Sequence, residues 1–171
     1  MTTAVIVDVV RTPSGRGKPG GALSGVHPVD LAAGTLTAIL ERNGLESRQI
    51  DDVLMGCVSQ VGDQAANIAR QAVLAAGFDE SVPAATIDRQ CGSSQQAVHF
   101  AAHGIIAGAC DVVIAAGVES MSRVPLGSAG AGGADADGLS RLPHPRPLGN
   151  RLLQGEVLAI QIRRVQLKTI K

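Results

Sequence analysis

The sequence predicts one α/β domain in which helices form layers around a largely parallel sheet. Two patterns support this expectation: short apolar segments alternate with helical segments over the first 120 residues, and the predicted strands are apolar almost without interruption. Strands of this kind are typical of a parallel sheet that is covered on both faces. The chain has 171 residues, of which 45% are hydrophobic and 18% charged, and this composition suits one folded domain.

Each element follows from a local pattern. The run AVIVDVV is rich in β-branched residues and predicts the first strand. Pro28 suits a first helical turn, and apolar residues at helical spacing continue from it to Gly44, a typical C-terminal cap. A second helix ends before Gly77. The predicted strands are 4–10, 53–58, 84–88 and 111–118, and the predicted helices are 28–43, 65–76 and 93–109.

The helix over 93–109 has apolar pairs that recur every four residues, while Phe100, Gly104 and Gly108 make its opposite side apolar or small as well. A helix that is apolar all round belongs in a protein interior. We therefore expect this helix to be buried on most of its sides.

Composition changes after residue 126, which divides the chain into three parts. Residues 1–126 form the predicted domain and carry eight Lys or Arg and twelve Asp or Glu. Residues 127–150 contain six Gly, four Ala and three Pro, which predicts a loop or a disordered linker. Residues 151–171 carry five basic residues and one acidic residue, and this basic tail fits either a short helix or a strand.

Composition also excludes several classes of function. Phe78 and Phe100 are the two aromatic residues and the net charge is zero, so neither base stacking nor attraction to phosphates supports nucleic-acid binding. The three cysteines fit neither a disulfide framework nor a CxxC metal pattern. No signal peptide and no apolar run of the roughly 20 residues that span a bilayer are visible. We expect a cytoplasmic protein with reduced thiols and no membrane partner.

Cys91 is the predicted catalytic residue. The segment DRQCGSS places it on a tight turn between a strand and the helix 93–109. A helix N-terminus favours negative charge and therefore the nucleophilic thiolate. Gly92 lets a ligand approach the backbone, and Ser93 or Ser94 is suited to cap the helix. The pattern is that of a nucleophile elbow with cysteine in place of serine, although a small buried residue at a turn has the same local sequence.

No base for this thiol can be identified from the sequence. His99 and His103 lie on the helix that follows Cys91, roughly 12 and 18 Å away along its axis at ~1.5 Å per residue, which is too far for a hydrogen bond. Their spacing lacks the glutamate of the HExxH motif, so we expect no metal site. His27 and His144 lie in predicted loops.

Two further patterns favour structural roles. Cys57 lies in a predicted strand and Cys110 at a helix–strand junction, where free cysteines are usually small buried residues. Residues 15–20 match GxGxxG, but Pro19 prevents the regular helix that a dinucleotide site requires, so the segment is predicted to be a loop.

Four segments, taken together and in order, resemble the N-terminal region of the thiolase family: RTPSGRGKPGGAL, GCVSQVGDQAANIARQA, DRQCGSSQQAV and AAGVESMSRVP. The resemblance extends from about Ala4 to Ser128, and it is strongest to the degradative 3-ketoacyl-CoA thiolases and the acetyl-CoA acetyltransferases. It implies a thiolase-like layered fold, of which this chain would be the N-terminal half, with residues 1–126 as an incomplete thiolase N-terminal domain. It also implies a homo-oligomer, either a dimer or a tetramer.

The resemblance implies a chemistry as well. The residue that matches Cys91 accepts the acyl group of a 3-ketoacyl-CoA or of acetyl-CoA, and its backbone N–H helps to form an oxyanion hole. Coenzyme A and acyl-CoA are then substrates, and no cofactor is permanently bound. Glu119, Ser120 and Met121 match a segment near the family's cysteine and are assigned to packing. Asp88 replaces the Asn, Ser or Thr that is usual in the family.

Much of the family's pattern has no counterpart in this chain. The His-containing GHP segment, the NEAFA segment and the second cysteine, in CxGGG, are missing, and these groups supply the base and the remaining oxyanion donors. We therefore expect an acyltransferase that is inactive or impaired as this truncated or frame-shifted chain. Two alternatives stay open: a non-catalytic thiolase-fold remnant or interaction module, and another condensing enzyme of the thiolase superfamily.

Overall fold

The computed structural model describes residues 3–131, 154–155 and 158–165. The four strands and three helices that the sequence predicts within the first 120 residues are all present. Two short 3-10 helices, Ser47–Gln49 and Gly62–Gln64, lie in the connections. In chain order the elements are β1 (Thr3–Arg11), β2 (Gly15–Arg16), α1 (Pro28–Asn43), β3 (Asp52–Gly56), α2 (Ile68–Ala75), β4 (Ala84–Ile87), α3 (Ser93–Ala107), β5 (Val112–Gly117), α4 (Ser128–Ala131), β6 (Gln154–Gly155) and β7 (Leu158–Val165).

A five-stranded mixed sheet organises the fold, with the strand order β1-β7-β5-β3-β4. β3 runs parallel to both β4 and β5, while β7 runs antiparallel to β1 and β5. In the parallel register Gly56 of β3 pairs with Ile87 of β4 on one side and with Gly117 of β5 on the other. The carboxyl ends of these three strands therefore meet at one edge of the sheet.

Both faces of the central strands are buried, which explains their uninterrupted apolar sequences. On one face, Val53 and Met55 of β3 and Ile114 of β5 belong to the same core cluster as the buried residues of α1 and α2. On the other face, Val113 and Ala115 of β5 pack with α3. Successive side chains of a strand point to opposite faces, so a strand between two helical layers needs apolar residues at nearly every position. The predicted α/β layered fold is confirmed.

α3 packs on the sheet by one face. Ala97, Ala101 and Ile105 on that face are fully buried, whereas Phe100 and Ile106 on the outer face are 48% and 56% exposed. Among the residues that the structure describes, the expected burial of α3 is therefore confirmed for the side that faces the sheet and is wrong for the outer side. An apolar pattern shows that a helix face can be buried, and it does not show what buries it. Neither α3 nor any other described helix is long and apolar enough to cross a membrane.

Local sequence explains where α1 ends and where α2 begins. α1 ends at the predicted cap Gly44, which has a left-handed φ of 60°. α2 begins at Ile68, later than predicted, because Ala66 and Asn67 adopt left-handed φ angles of 54° and 56°. The Asn67 side chain then accepts a hydrogen bond from the Arg70 N–H and caps the helix.

The basic tail contributes strands to the fold. Residues 158–165 form β7, which lies between β1 and β5, and β6 pairs with β2 in a second, two-stranded sheet. The sequence alone does not choose between a helix and a strand here, and the structure has strands. Of the predicted linker 127–150, residues 132–150 lie outside the described residues. The division of the chain after residues 126 and 150 stays a prediction.

The variant Leu36→Ala tests the core beneath α1. Leu36 is fully buried, so removing its side chain leaves a cavity, and we expect the free energy of unfolding to fall by about 2–5 kcal/mol. Leu74 of α2 is 47% exposed, and Leu74→Ala removes the same atoms from a partly solvated site. We expect its loss to stay below about 1 kcal/mol. Urea unfolding followed by circular dichroism gives both values, and equal losses would contradict this core.

Candidate functional site around Cys91

Cys91 lies on the turn that joins β4 to α3, and its side chain is exposed. Gln90, the residue before it, has a φ of 49°, a conformation that residues with side chains rarely adopt. The Gly92 N–H donates to the Arg89 carbonyl at 3.1 Å, and the Ser93 N–H donates to the Gln90 carbonyl at 3.0 Å. This sharp passage from strand to helix agrees with the nucleophile elbow that the sequence indicates.

Two side chains hold the turn in this shape. Ser93 Oγ donates to the Gln90 carbonyl at 2.6 Å and accepts from the Arg89 N–H at 2.9 Å. Asp88 Oδ1 accepts from the Gln90 N–H at 2.8 Å. Asn carries the same acceptor oxygen, and the hydroxyl of Ser or Thr, one bond closer to the backbone, forms similar turn bonds more weakly, which explains why Asp fits at position 88.

α3 begins without a side-chain cap. Its N-cap residue is Gly92 and no side-chain cap bond is present, so the prediction that Ser93 or Ser94 caps this helix is wrong. Ser93 is engaged by the turn instead, and Ser94 lies against the sheet. The positive end of the helix dipole lies at this end of α3, next to Cys91.

Two glycines allow the first turn of α3 to rest directly on the sheet. Gly56 and Gly117 are the last residues of β3 and β5, which are neighbouring strands. A Cβ added at Gly56 would lie 2.3 Å from the Ser94 backbone nitrogen, and one added at Gly117 would lie 2.6 Å from Ser94 Cβ. Since neither distance is sterically possible, the absence of side chains at both strand ends sets the height of the Cys91 turn above the sheet.

An open cleft of about 320 Å³ lies at the carboxyl ends of the strands. Its walls come from the turn that carries Cys91, from residues 56–59 at the end of β3 and beyond it, and from residues 117–119 at the end of β5 and beyond it. Met121 and Leu126 add apolar surface. Ligands of open α/β sheets bind in this position, outside the carboxyl ends of the strands. The exposed thiol thus faces a space that a small acyl group can enter.

The other two thiols are less suited to act as nucleophiles. Cys57 is buried, and its pKa is raised to about 12 by burial and by the nearby carboxylates of Glu119 and Asp88. Burial, together with the carboxylates of Asp51 and Asp52 at the start of β3 and of Asp111 after α3, also raises the pKa of Cys110. A raised pKa keeps a thiol protonated and unreactive near neutral pH. Cys57 nevertheless lines the same cleft as Cys91, which the sequence does not indicate.

No histidine among the described residues lines this cleft. His99 and His103 lie further along α3, as helix geometry requires. His27 is the N-cap of α1: its Nδ1 accepts a hydrogen bond from the Val29 N–H at 3.2 Å, and its Nε2 lies 3.8 Å from Asp63 Oδ1. His144 lies outside the described residues. Within the described ranges, no cluster of three or more His, Cys, Asp or Glu side chains is placed to hold a metal ion.

The segment assigned to packing, Glu119 to Met121, makes polar contacts that the sequence does not predict. The Glu119 carboxylate accepts hydrogen bonds from the backbone of residues 58 and 59, and Ser120 is buried. Met121 does pack, since it contributes to the wall of the cleft. Glu119 is therefore a cleft residue that is anchored to the neighbouring loop.

We expect Cys91 to be the most reactive thiol of the folded protein. Limited treatment with iodoacetamide at pH 8, followed by peptide mass mapping, should label Cys91 first. Cys57 should stay unlabelled because it is buried and its pKa is about 12, so hardly any thiolate is present at that pH. Faster labelling of Cys57 or Cys110 in the folded chain would refute this assignment.

The variant Gly56→Ala tests the close contact between α3 and the sheet. The added methyl group would overlap the Ser94 nitrogen, so α3 must shift and the Cys91 turn with it. We expect the rate of Cys91 alkylation to change by about two- to fivefold, because the thiolate fraction depends on the position of Cys91 at the helix N-terminus, an interaction of about 0.3–1 kcal/mol. Gly34→Ala on α1 is the matched control, because a Cβ there meets no atom within 4 Å. Unchanged alkylation in Gly56→Ala would contradict the close approach.

Comparison with known proteins agrees with this geometry. A family described as the thiolase N-terminal domain matches residues 4–137, further than the resemblance noted up to Ser128. A steroid 3-ketoacyl-CoA thiolase from Mycobacterium tuberculosis is 52% identical over 129 residues, which are 75% of this chain and 31% of that protein. A β-ketoadipyl-CoA thiolase from Escherichia coli is 52% identical over 127 residues, 74% of this chain and 31% of that protein.

A solved structure shows the same likeness. The crystal structure of a Bacillus anthracis acetyl-CoA acetyltransferase superposes with a TM-score of 0.66 and 46% identity, over 71% of this chain and 30% of that one. This chain thus spans about a third of the length of these relatives. The strand–turn–helix around Cys91, the layered fold and the family match lead to one conclusion: the chain belongs to the thiolase family, and its residues 4–137 match the family's N-terminal domain.

Proposed function

We propose that this chain carries the acyl-accepting part of a thiolase and that Cys91 is its catalytic nucleophile. The observation that supports this most directly is the exposed Cys91 thiol, which lies at the N-terminal end of α3 beside an open cleft. Acyl-cysteine chemistry needs a thiol that substrate can reach and donors that stabilise the oxyanion. The names of the relatives, 3-ketoacyl-CoA thiolase and β-ketoadipyl-CoA thiolase, favour a CoA thioester of a 3-keto acid as the substrate.

In the direction of cleavage, the Cys91 thiolate adds to the C3 carbonyl of a 3-ketoacyl-CoA. The bond between C2 and C3 then breaks, the acyl group stays on Sγ, and the electron pair left on C2 takes up a proton to give acetyl-CoA. A second CoA thiol loses its proton as its sulfur attacks the acyl-cysteine thioester, which releases the shortened acyl-CoA and restores the thiolate. Condensation of acetyl-CoA follows the same route in reverse.

The turn at Cys91 supports the charge that develops in these steps. The backbone N–H of Cys91 is proposed to donate to the oxyanion, and the dipole of α3 lowers the energy of negative charge at this end of the helix. We propose that coenzyme A and acyl-CoA enter as substrates and that no cofactor is permanently bound.

The described part of the cleft offers no base for the proton transfers. No histidine lines it, and the carboxylate of Glu119, its acidic group, is already bonded to backbone donors. A general base must lie within hydrogen-bond reach of the proton that it moves. The proposal therefore separates two steps: acyl transfer to Cys91, which we propose that this chain carries out, and multiple turnover, which needs a base that the described cleft does not contain.

The proposal includes the assembly and the location that the family resemblance implies. We propose a dimer or tetramer, which analytical ultracentrifugation would test, and a cytoplasmic location, which cell fractionation would test. The outer face of α3, with Phe100 and Ile106 exposed, gives such an assembly an apolar surface to bury.

We expect the purified chain to be acylated at Cys91 once per molecule and to show little or no turnover. Incubation with acetoacetyl-CoA, followed by intact-mass and peptide analysis, should find one acetyl group on Cys91. Release of acetyl-CoA in the presence of free CoA should stop after about one equivalent, because a base for further cycles is absent from the described cleft.

Cys91→Ala is the control for this experiment and should abolish both acylation and release. Robust multiple turnover that disappears in Cys91→Ala would show that a residue outside the described part of the cleft, such as His144, or a partner chain supplies the base. Absence of any acylation on Cys91 would favour a non-catalytic remnant or interaction module.

A further inference from the structure

Glu119, just after β5, is the centre of a hydrogen-bond network beside the cleft. This network, called the circuit below, consists of Glu119, Gln64, Ser120 and the backbone of residues 58–59. Its Oε2 accepts from the Val58 N–H at 2.8 Å. Its Oε1 accepts from the Ser59 N–H at 3.3 Å and from Gln64 Nε2 at 2.8 Å. Three donors from the segment that follows β3 therefore converge on one carboxylate, and hydrogen bonds to an ionised acceptor are stronger than those between neutral groups.

Gln64 closes this circuit from the protein interior. Its side chain is fully buried, and its Nε2 also donates to the Ser59 carbonyl at 2.9 Å. Its Oε1 accepts from the Ser120 N–H at 2.6 Å. Both polar atoms of the amide thus have partners. A buried network in which each polar atom is bonded is rigid, while loss of one member leaves the others unsatisfied.

The circuit joins two chain segments that follow neighbouring parallel strands. Val58 and Ser59 come after β3, whereas Glu119 and Ser120 come after β5. Val58, Ser59 and Glu119 all line the cleft that Cys91 faces, and the bonds described above fix their positions relative to one another. The circuit therefore determines the shape of one wall of the cleft.

Glu119 is better suited to positioning than to proton transfer. Its two oxygens accept three hydrogen bonds from the protein, which occupy three of the about four acceptor sites of a carboxylate and lower its capacity to take up a proton. A general base needs a free lone pair within reach of the proton.

We infer that Glu119 and Gln64 are positioning residues that hold the wall at residues 58–59, against which the acyl group of a CoA thioester rests when Cys91 attacks it. The inference deepens the proposed function and rests on it. Attack requires the reacting atoms to lie about 3–3.5 Å apart in an aligned geometry, so a small shift of this wall slows acylation and leaves the thiol itself unchanged.

The test compares two reactions of Cys91 in Glu119→Gln. The amide has nearly the shape of the carboxylate, but its NH₂ group must face N–H donors, so at least one of the three bonds is lost. The maximal rate of Cys91 acylation by acetoacetyl-CoA should fall about tenfold or more, the order expected for a displaced reacting group. Alkylation of Cys91 by iodoacetamide, a small reagent that needs no wall, should stay within about twofold of the wild-type rate.

Asp63→Asn is the matched control. Asp63 lies on the same 3-10 helix as Gln64, and its carboxylate accepts a hydrogen bond from Arg123 Nε at 2.7 Å. The Asp63 side chain is 37% exposed and does not line the cleft. This variant makes the same chemical change next to the circuit and should leave both rates unaltered. Gln64→Met, which keeps the side-chain volume and removes the hydrogen bonds, should behave like Glu119→Gln.

The outcomes separate the inference from the proposed function. Acylation of Glu119→Gln at the wild-type rate, or an equal fall in acylation and alkylation, overturns the positioning role. If the wild-type chain is not acylated at all, the proposed function fails. In that case, the role of Glu119 in holding the wall is tested separately, by the ratio of the Cys91 alkylation rates with iodoacetamide and with the bulkier N-ethylmaleimide. A ratio that Glu119→Gln changes and Asp63→Asn leaves intact supports the wall, and a ratio that neither variant changes overturns it.

Discussion

The close contact between the first turn of α3 and the ends of β3 and β5 is the constraint on which the rest of the site depends. Gly56 and Gly117 lie side by side in the parallel register, and Ser94 occupies the space that their side chains would fill. This contact involves the backbone and Cβ of Ser94 on one side and the glycine Cα atoms on the other, and none of these atoms moves with a change of rotamer. It fixes the start of α3, and with it the turn that carries Cys91.

Hydrogen bonds from polar side chains add to this steric constraint. Ser93 and Asp88 bond the backbone of the turn, so Gln90 is kept in a conformation that it would not adopt alone. On the other side of the cleft, Glu119 and Gln64 bond the backbone that follows β3. The thiol and the facing wall are thus held by separate sets of hydrogen bonds, although both rest on the same strand ends.

Local patterns predict much of this structure. The central strands are buried on both faces, so their apolar runs are unambiguous, and the segment DRQCGSS contains within seven residues all that is needed to predict the turn at Cys91. The bond between Gln64 and Glu119 joins residues 55 positions apart, and a polar pair at that distance has no periodic signature. The pairing of β7 with β1 and β5 and the open outer face of α3 depend equally on contacts between distant segments.

The thiol is positioned by a glycine contact and the facing wall by side-chain hydrogen bonds, and this difference has an evolutionary consequence. A residue larger than glycine at position 56 or 117 would overlap Ser94, so substitutions at these two positions displace the nucleophile. On the wall, Val58 is held through its backbone N–H, so its side chain can change without loss of that bond, and each change alters the shape of the cleft slightly. Selection for a new acyl group can therefore act on the side chain at position 58 while Glu119 and Gln64 hold the wall and the glycines at 56 and 117 keep the thiol in register with the sheet.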